Sequence, residues 1–107
     1  MATVAIVPRE LERRIAARDA LVLLDVREHG ELAICRIAGT VHIPMGEIGR
    51  RAGELARDAE IVCICHHGVR SANVAAALAS MGFEHTLNLT GGIDRWAREV
   101  DPAMARY

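Results

Sequence analysis

Two apolar runs in this chain, LVLL at 21–24 and IVCI at 61–64, have no polar residue at every second position. A strand with one wet face alternates polar and apolar. A run without alternation fits a strand buried on both faces, the situation in a parallel sheet sandwiched between helices. Two more segments read as strands: TVHIP at 40–44, β-branched and stopped by Pro44, and HTLNL at 85–89. Helical patterns lie between them. Pro8 opens PRELERRIAARDA, with Leu11 and Ile15 four apart among charges. HGELAI at 29–34 suits one or two turns, with Glu28 as an acid at its N-terminus. Met45, Ile48, Ala52 and Leu55 keep helical spacing across 45–57, although Gly46, Gly49 and Gly53 weaken that helix. Residues 70–81 make the strongest helix, closed by Gly82, and Thr90 is expected to cap a last helix over 91–100. The tail beyond Pro102 is expected to be loosely ordered. Strands alternating with helices predict an α/β fold: a central, mainly parallel sheet of four to five strands, flanked by helices on both faces and joined by right-handed crossovers.

Composition narrows the function. A length of 107 residues suits one domain spanning 1–107. Eighteen alanines and three aromatic residues imply thin helices lying close to the sheet. The 13 basic residues are all Arg, and acids interleave with them to a net charge of −1. That excludes the basic stripe of a nucleic-acid binder, and the absence of Lys excludes Schiff-base chemistry. No apolar run reaches membrane-spanning length, and no secretory signal pattern opens the chain. Three cysteines, an odd number without framework spacing, point to free thiols in a reducing cytoplasm.

Cys65 ends the strand at 60–64, and the helix at 70–81 begins five residues later. Ligands of open parallel sheets bind beyond the carboxyl ends of the strands, which is where this cysteine falls. The connection CHHGV is short and must curl, and Gly68 permits a left-handed residue within it. A loop curling into a helix N-terminus turns several backbone N–H groups inward as a nest for an anion. Those donors, the helix dipole and the nearby Arg70 favour a thiolate, so Cys65 reads as a nucleophile.

Four segments in order then show a family resemblance. CHHGVRS at 65–71 resembles the active-site loop of rhodanese-family sulfurtransferases; LLDVRE at 23–28 and IAGTVHIP at 37–44 resemble the family's first two signatures, and LNLTGGIDRW at 87–96 its C-terminal one. The resemblance implies that Cys65 accepts a sulfane sulfur from thiosulfate or a persulfide donor, becomes a persulfide, and passes the sulfur to a thiol or to cyanide in a ping-pong cycle. A protein thiol belongs among the acceptors, and no cofactor is implied. The loop residues His66, His67, Gly68, Val69, Arg70 and Ser71 would form the substrate cradle, with Arg70 offering positive charge to the donor and Ser71 holding the loop. Cys65 and Arg70 enclose four residues. Phosphatase-like relatives of the fold enclose five, so the resemblance favours sulfur transfer over phosphoester hydrolysis. A sulfur-carrier or redox-sensing module with little turnover stands as the alternative, and the oligomeric state expected is a monomer or weak homodimer.

Other residues support or surround this site. Asp25 and Arg27 read as an acid–guanidinium pair that fixes loops at the sheet's carboxyl edge, and Arg36 as a residue lining the mouth. His66 and His67 either tune substrate choice or face solvent. Cys35 is either a resolving thiol or incidental, and Cys63, two residues before Cys65 on a buried strand, reads as core filler. Zinc ligation by Cys63, Cys65, His66 and His67 is rejected, because four ligands within five residues do not converge on a tetrahedron. Gly91, Gly92 and Trp96 read as packing residues, and His42 and His85 as ordinary strand or edge residues.

Overall fold

The computed structural model describes residues 4–107. Its centre is a five-stranded sheet built of β1 (Val4–Ile6), β2 (Leu21–Asp25), β3 (Val41–His42), β4 (Glu60–Ile64) and β5 (His85–Leu89). The order is β1-β5-β4-β2-β3, and every pairing is parallel. The runs without polar alternation, β2 and β4, are adjacent at the centre, Leu21 to Asp25 facing Glu60 to Ile64 residue for residue. Burial on both faces is why they lack alternation.

Side chains of β4 alternate between two apolar clusters. Ile61, Cys63 and Cys65 join Leu24, Val74, Ala75 and Leu78 on one face, whereas Val62 and Ile64 join Leu23, Leu11, Ile93 and Trp96 on the other. The first face is covered by α3 (Ile48–Arg51) and α4 (Val69–Ser80), the second by α1 (Pro8–Ala16) and α5 (Gly92–Glu99). Small Ser71 and Ala75 on the buried face of α4 let that helix lie close to the sheet. Thr86, buried in β5, satisfies its hydroxyl on the Ala75 carbonyl of that helix, 3.2 Å away.

Four local expectations change. Val4–Ile6, not expected as a strand, pairs along β5 from Leu87 to Leu89; it is a three-residue edge strand, too short for a periodic signal. The helix expected over 45–57 is broken into a 3₁₀ turn at Met45–Glu47, the single α-turn α3 and another 3₁₀ turn at Ala52–Glu54, as its three glycines would favour. The cap of α5 is Gly91 and not Thr90, because the entry residue adopts the left-handed conformation (φ 75°). The tail beyond Pro102 is packed: Met104 rests against the second cluster and Arg106 reaches Asp94.

From β2 the chain moves outward to β3, and from β4 outward the other way to β5. The order therefore reverses between β2 and β4, which opens a crevice beyond their carboxyl ends. The loop after β2 leads into α2 (His29–Ile34), and the loop after β4 leads into α4.

Candidate active site

Cys65 lies just past β4 and is 1 % exposed. Its Sγ accepts the Gly68 N–H at 3.0 Å and meets the Ser71 hydroxyl at 3.2 Å. Gly68 is the N-cap of α4, with φ 101°. A side chain there would be strained and would press on the Gly91 nitrogen and the Leu89 carbonyl oxygen, 3.3 and 3.4 Å from its Cβ. The first N–H groups of α4, which have no intrahelical partner, follow directly.

The loop is shaped from outside by α5. Ile93 N–H donates to the Cys65 carbonyl (2.8 Å), and Asp94 N–H to that of His66 (3.0 Å). The N-terminus of one helix thus binds the loop's carbonyls, while the N-terminus of α4 serves the sulfur. Gly92, at φ 62°, stands where any Cβ would run into the Cys65 and His66 carbonyls. Gly92, read from sequence as a packing residue, is therefore part of the loop's support, and the Gly91 nitrogen lies close to Gly68.

Ser71 is buried and has a second neighbour, Asn88 Oδ1, at 2.5 Å; the Asn88 amide donates in turn to the Gly68 carbonyl at 3.0 Å. A hydroxyl has one proton. With Cys65 as a thiol, S–H donates to Ser71 Oγ and Ser71 donates to Asn88. With Cys65 as a thiolate, Ser71 turns its proton to the sulfur. The 2.5 Å contact to Asn88 Oδ1, an acceptor only, must then lengthen, because no proton lies between the two oxygens. Cys63 takes no part: burial, reinforced by the neighbouring Cys65, pushes its thiol up to about 12.

Asp25 and Arg27 are both fully buried and joined through several bonds, the shortest from Arg27 Nη2 to Asp25 Oδ2 at 2.7 Å. Arg27 also donates to the carbonyls of Glu31 (3.2 Å) and Cys35 (2.8 Å), and its own carbonyl is bound by His42 Nε2 at 2.5 Å. The pair fastens the β2 loop, α2 and the end of β3 together.

Arg70 does not stand free beside the sulfur. Its two terminal nitrogens meet the two carboxylate oxygens of Glu31, each at 2.7 Å, in a bidentate pair. Arg70 holds the Glu31 carboxyl down at about 2. Glu31 also closes a capping box with Glu28, accepting the Glu28 N–H at 2.8 Å. The Tyr107 hydroxyl donates to Glu31 (2.7 Å) and accepts from Arg27 (3.1 Å). Its ring stacks on His66 with centroids 3.8 Å apart and planes 11° from parallel. Burial first, then Glu31, pushes the Tyr107 phenol up to about 12.

The histidines differ. His66 is half-buried, its Nε2 unpartnered, and burial followed by the neighbouring His67 lowers its pKa. His67 is exposed and touches His66 ring to ring at 3.8 Å. His66, His67 and Asp94 each bring a ligand-type atom within 4.8 Å of the others, but Arg98 and Arg106 already engage the Asp94 carboxylate at 3.3 and 3.2 Å. Val69 is the most exposed large apolar residue, at 71 %.

Among the residues singled out in the sequence, the structure forms two neighbouring networks: Cys65 with Gly68 and Ser71, and Asp25, Arg27, Arg70 and His66 joined through Tyr107 and Glu31. Arg36 is placed elsewhere, at an apolar groove lined by Ile15, Ala16, Ile37, Trp96 and Val100 on the α1–α5 side. Cys35 lies beside Arg27, with Sγ 3.9 Å from Nη1. Sequence reasoning missed Glu31, Asn88, Asp94 and Tyr107. Asn88 is one of three polar residues in HTLNL, and nothing in the sequence singled it out. Glu31 signalled only its capping box with Glu28, and Tyr107 signalled nothing.

A cysteine set at the end of a central parallel strand, in a backbone cradle at a helix N-terminus, defines a class of α/β domains built around one reacting thiol. Within that class the chain belongs to the rhodanese-like domain family, whose model matches residues 7–99. YtwF of Bacillus subtilis, which carries a sulfurtransferase name, is 42 % identical over 92 residues, 86 % of this chain and 88 % of that protein. YrkF of the same organism, named for sulfur carriage, is 37 % identical over 90 residues; the match takes in 84 % of this chain but 49 % of YrkF, so the chain spans about half of that relative. A rhodanese-related protein of Thermoplasma volcanium superposes with a TM-score of 0.83 at 34 % identity, covering 91 % of this chain and 93 % of that one.

Proposed function

We propose that the protein is a sulfurtransferase in which Cys65 carries the sulfur as a persulfide. The observation that supports this best is the Cys65 sulfur accepting the Gly68 N–H at the start of α4, in a loop whose carbonyls are bound by α5. The likeness to YtwF points the same way. The Cys65 thiolate attacks the outer sulfur of thiosulfate or of a persulfide; the donor's S–S bond breaks, and sulfite or a thiolate leaves with the bonding electrons. The loop N–H donors and Ser71 stabilise negative charge on whichever sulfur is terminal. An acceptor thiol, a protein thiol included, or cyanide then removes that sulfur and restores the Cys65 thiolate. Three free cysteines suit a reducing compartment such as the cytoplasm.

Intact-mass measurement after incubation with thiosulfate or an alkyl persulfide tests the reading. A gain of one sulfur, mapped to Cys65 and discharged by cyanide, is the expected result. Sulfur loading of Cys65→Ser at the wild-type rate refutes it. The likeness to YrkF favours a second reading, a carrier that exchanges sulfur with a partner thiol but turns over cyanide slowly; the ratio of those two rates separates it from the first.

A further inference from the structure

Among the described residues, the arginines beside the loop are already engaged. Arg70 is bound at both terminal nitrogens by Glu31, Arg27 is buried against Asp25, and Arg98 and Arg106 both pair with Asp94. His66 adds little positive charge near neutral pH, since burial and His67 favour its neutral form. The carboxylates of Glu31 and Asp94 both lie within electrostatic reach of that ring. The uncharged surfaces near the sulfur are the exposed Val69 side chain and the Tyr107 ring stacked on His66.

This setting treats the two donor classes differently. Thiosulfate is a dianion whose sulfonate oxygens stay outside the cradle while its outer sulfur enters, so those oxygens need a cation at the rim. An alkyl persulfide carries at most one negative charge, on the sulfur that enters the cradle, and leaves an organic group outside. We propose that Glu31 is a specificity-determining residue that neutralises Arg70 and so turns the Cys65 site from thiosulfate toward alkyl persulfides. The inference rests on the sulfurtransferase reading above. In the transfer, the Cys65 thiolate attacks the terminal sulfur of R–S–SH, the R–S to S bond breaks, and RS⁻ leaves with the electron pair. RS⁻ takes the persulfide proton, giving RSH and the Cys65 persulfide anion. Sulfur and electrons balance with no added oxidant or reductant.

The test compares kcat/KM for thiosulfate and for N-acetylcysteamine persulfide, which has no charge beyond its sulfur, in the wild type and in Glu31→Gln. Gln retains an oxygen to accept the Glu28 N–H but removes the charge that binds Arg70. The wild type is expected to favour the persulfide by at least tenfold. The variant is expected to move the ratio toward thiosulfate by at least fivefold, chiefly through a lower KM for thiosulfate. His67→Arg, which adds a cation at an exposed loop position with Glu31 in place, is expected to move the ratio the same way, and it keeps the test decisive if Glu31→Gln folds poorly. A wild type that favours thiosulfate, or a ratio unmoved by either substitution, overturns the role of Glu31 while leaving Cys65 as the sulfur carrier. Failure of both donors to load Cys65 overturns both readings.

Discussion

Gly92→Ala isolates the contact between α5 and the Cys65 loop. The new methyl carbon would overlap the His66 carbonyl oxygen and stand 2.6 Å from that of Cys65. Both obstacles are backbone, so no side-chain rotation relieves them. Three costs follow. Holding alanine in the left-handed conformation at φ 62° costs about 1 kcal/mol. Overpacking a tight site adds about 1–3 kcal/mol. Relaxation by pushing the loop away stretches the Ile93 to Cys65 and Asp94 to His66 bonds, each worth about 1 kcal/mol. Because relaxation trades overlap against those bonds, the total is about 3 kcal/mol, which for a domain of this size lowers the melting temperature by about 12 °C. Gly39→Ala is the control: its φ is 81°, but nothing lies within 4 Å of the added carbon, so it carries the backbone cost of about 1 kcal/mol alone. Thermal denaturation of both variants, with the rate of sulfur loading on Cys65, reads the two effects. Gly92→Ala is expected to melt well below Gly39→Ala and to load sulfur at least tenfold more slowly. Equal melting of the two variants, with loading intact in Gly92→Ala, would show that α5 does not shape the cradle.

Ser71→Ala removes the hydroxyl that serves both Cys65 and Asn88, so single-turnover sulfur loading is expected to slow by about tenfold, and an unchanged rate rules out that role. Cys63, with its thiol pushed up to about 12, is expected to stay unlabelled when the folded protein meets iodoacetamide at pH 8; peptide mapping that finds Cys63 alkylated contradicts its burial. Glu31 has a folded pKa of about 2 against an ordinary 4.5, so its contribution to stability is fully present above about pH 5 and is lost as pH falls toward 2. Urea midpoints of the wild type and Glu31→Gln should therefore differ most at pH 7 and draw together as pH falls from about 5 toward 2, and a difference that widens on acidification has the wrong sign for this ion pair.

What could be read from the sequence and what could not divides by the range of the interaction. Runs such as 21–24 and 61–64 declare their burial locally, so the parallel sheet and its helical layers are legible from periodicity, and the position of Cys65 follows from the chain order alone. Local chemistry also foretold the Asp25–Arg27 pair, two residues apart, and the helix stop at Gly82, where Phe83 N–H returns to the Leu78 carbonyl at 3.1 Å. The pairing of Arg70 with Glu31 spans 39 residues and that of Tyr107 with Glu31 spans 76, and no spacing rule connects positions so distant. The helix position of Arg70 therefore suggests a cation facing the donor, whereas the fold gives it a carboxylate partner. The same limit explains Gly91 and Gly92. A glycine pair after a strand announces a turn, but only the tertiary arrangement shows that Gly92 lies against the carbonyls of Cys65 and His66, far earlier in the chain. Local pattern places Cys65, and long-range contacts decide the charge and shape of its surroundings. The residue proposed to set donor choice, Glu31, accordingly lies outside the family-like motif around Cys65.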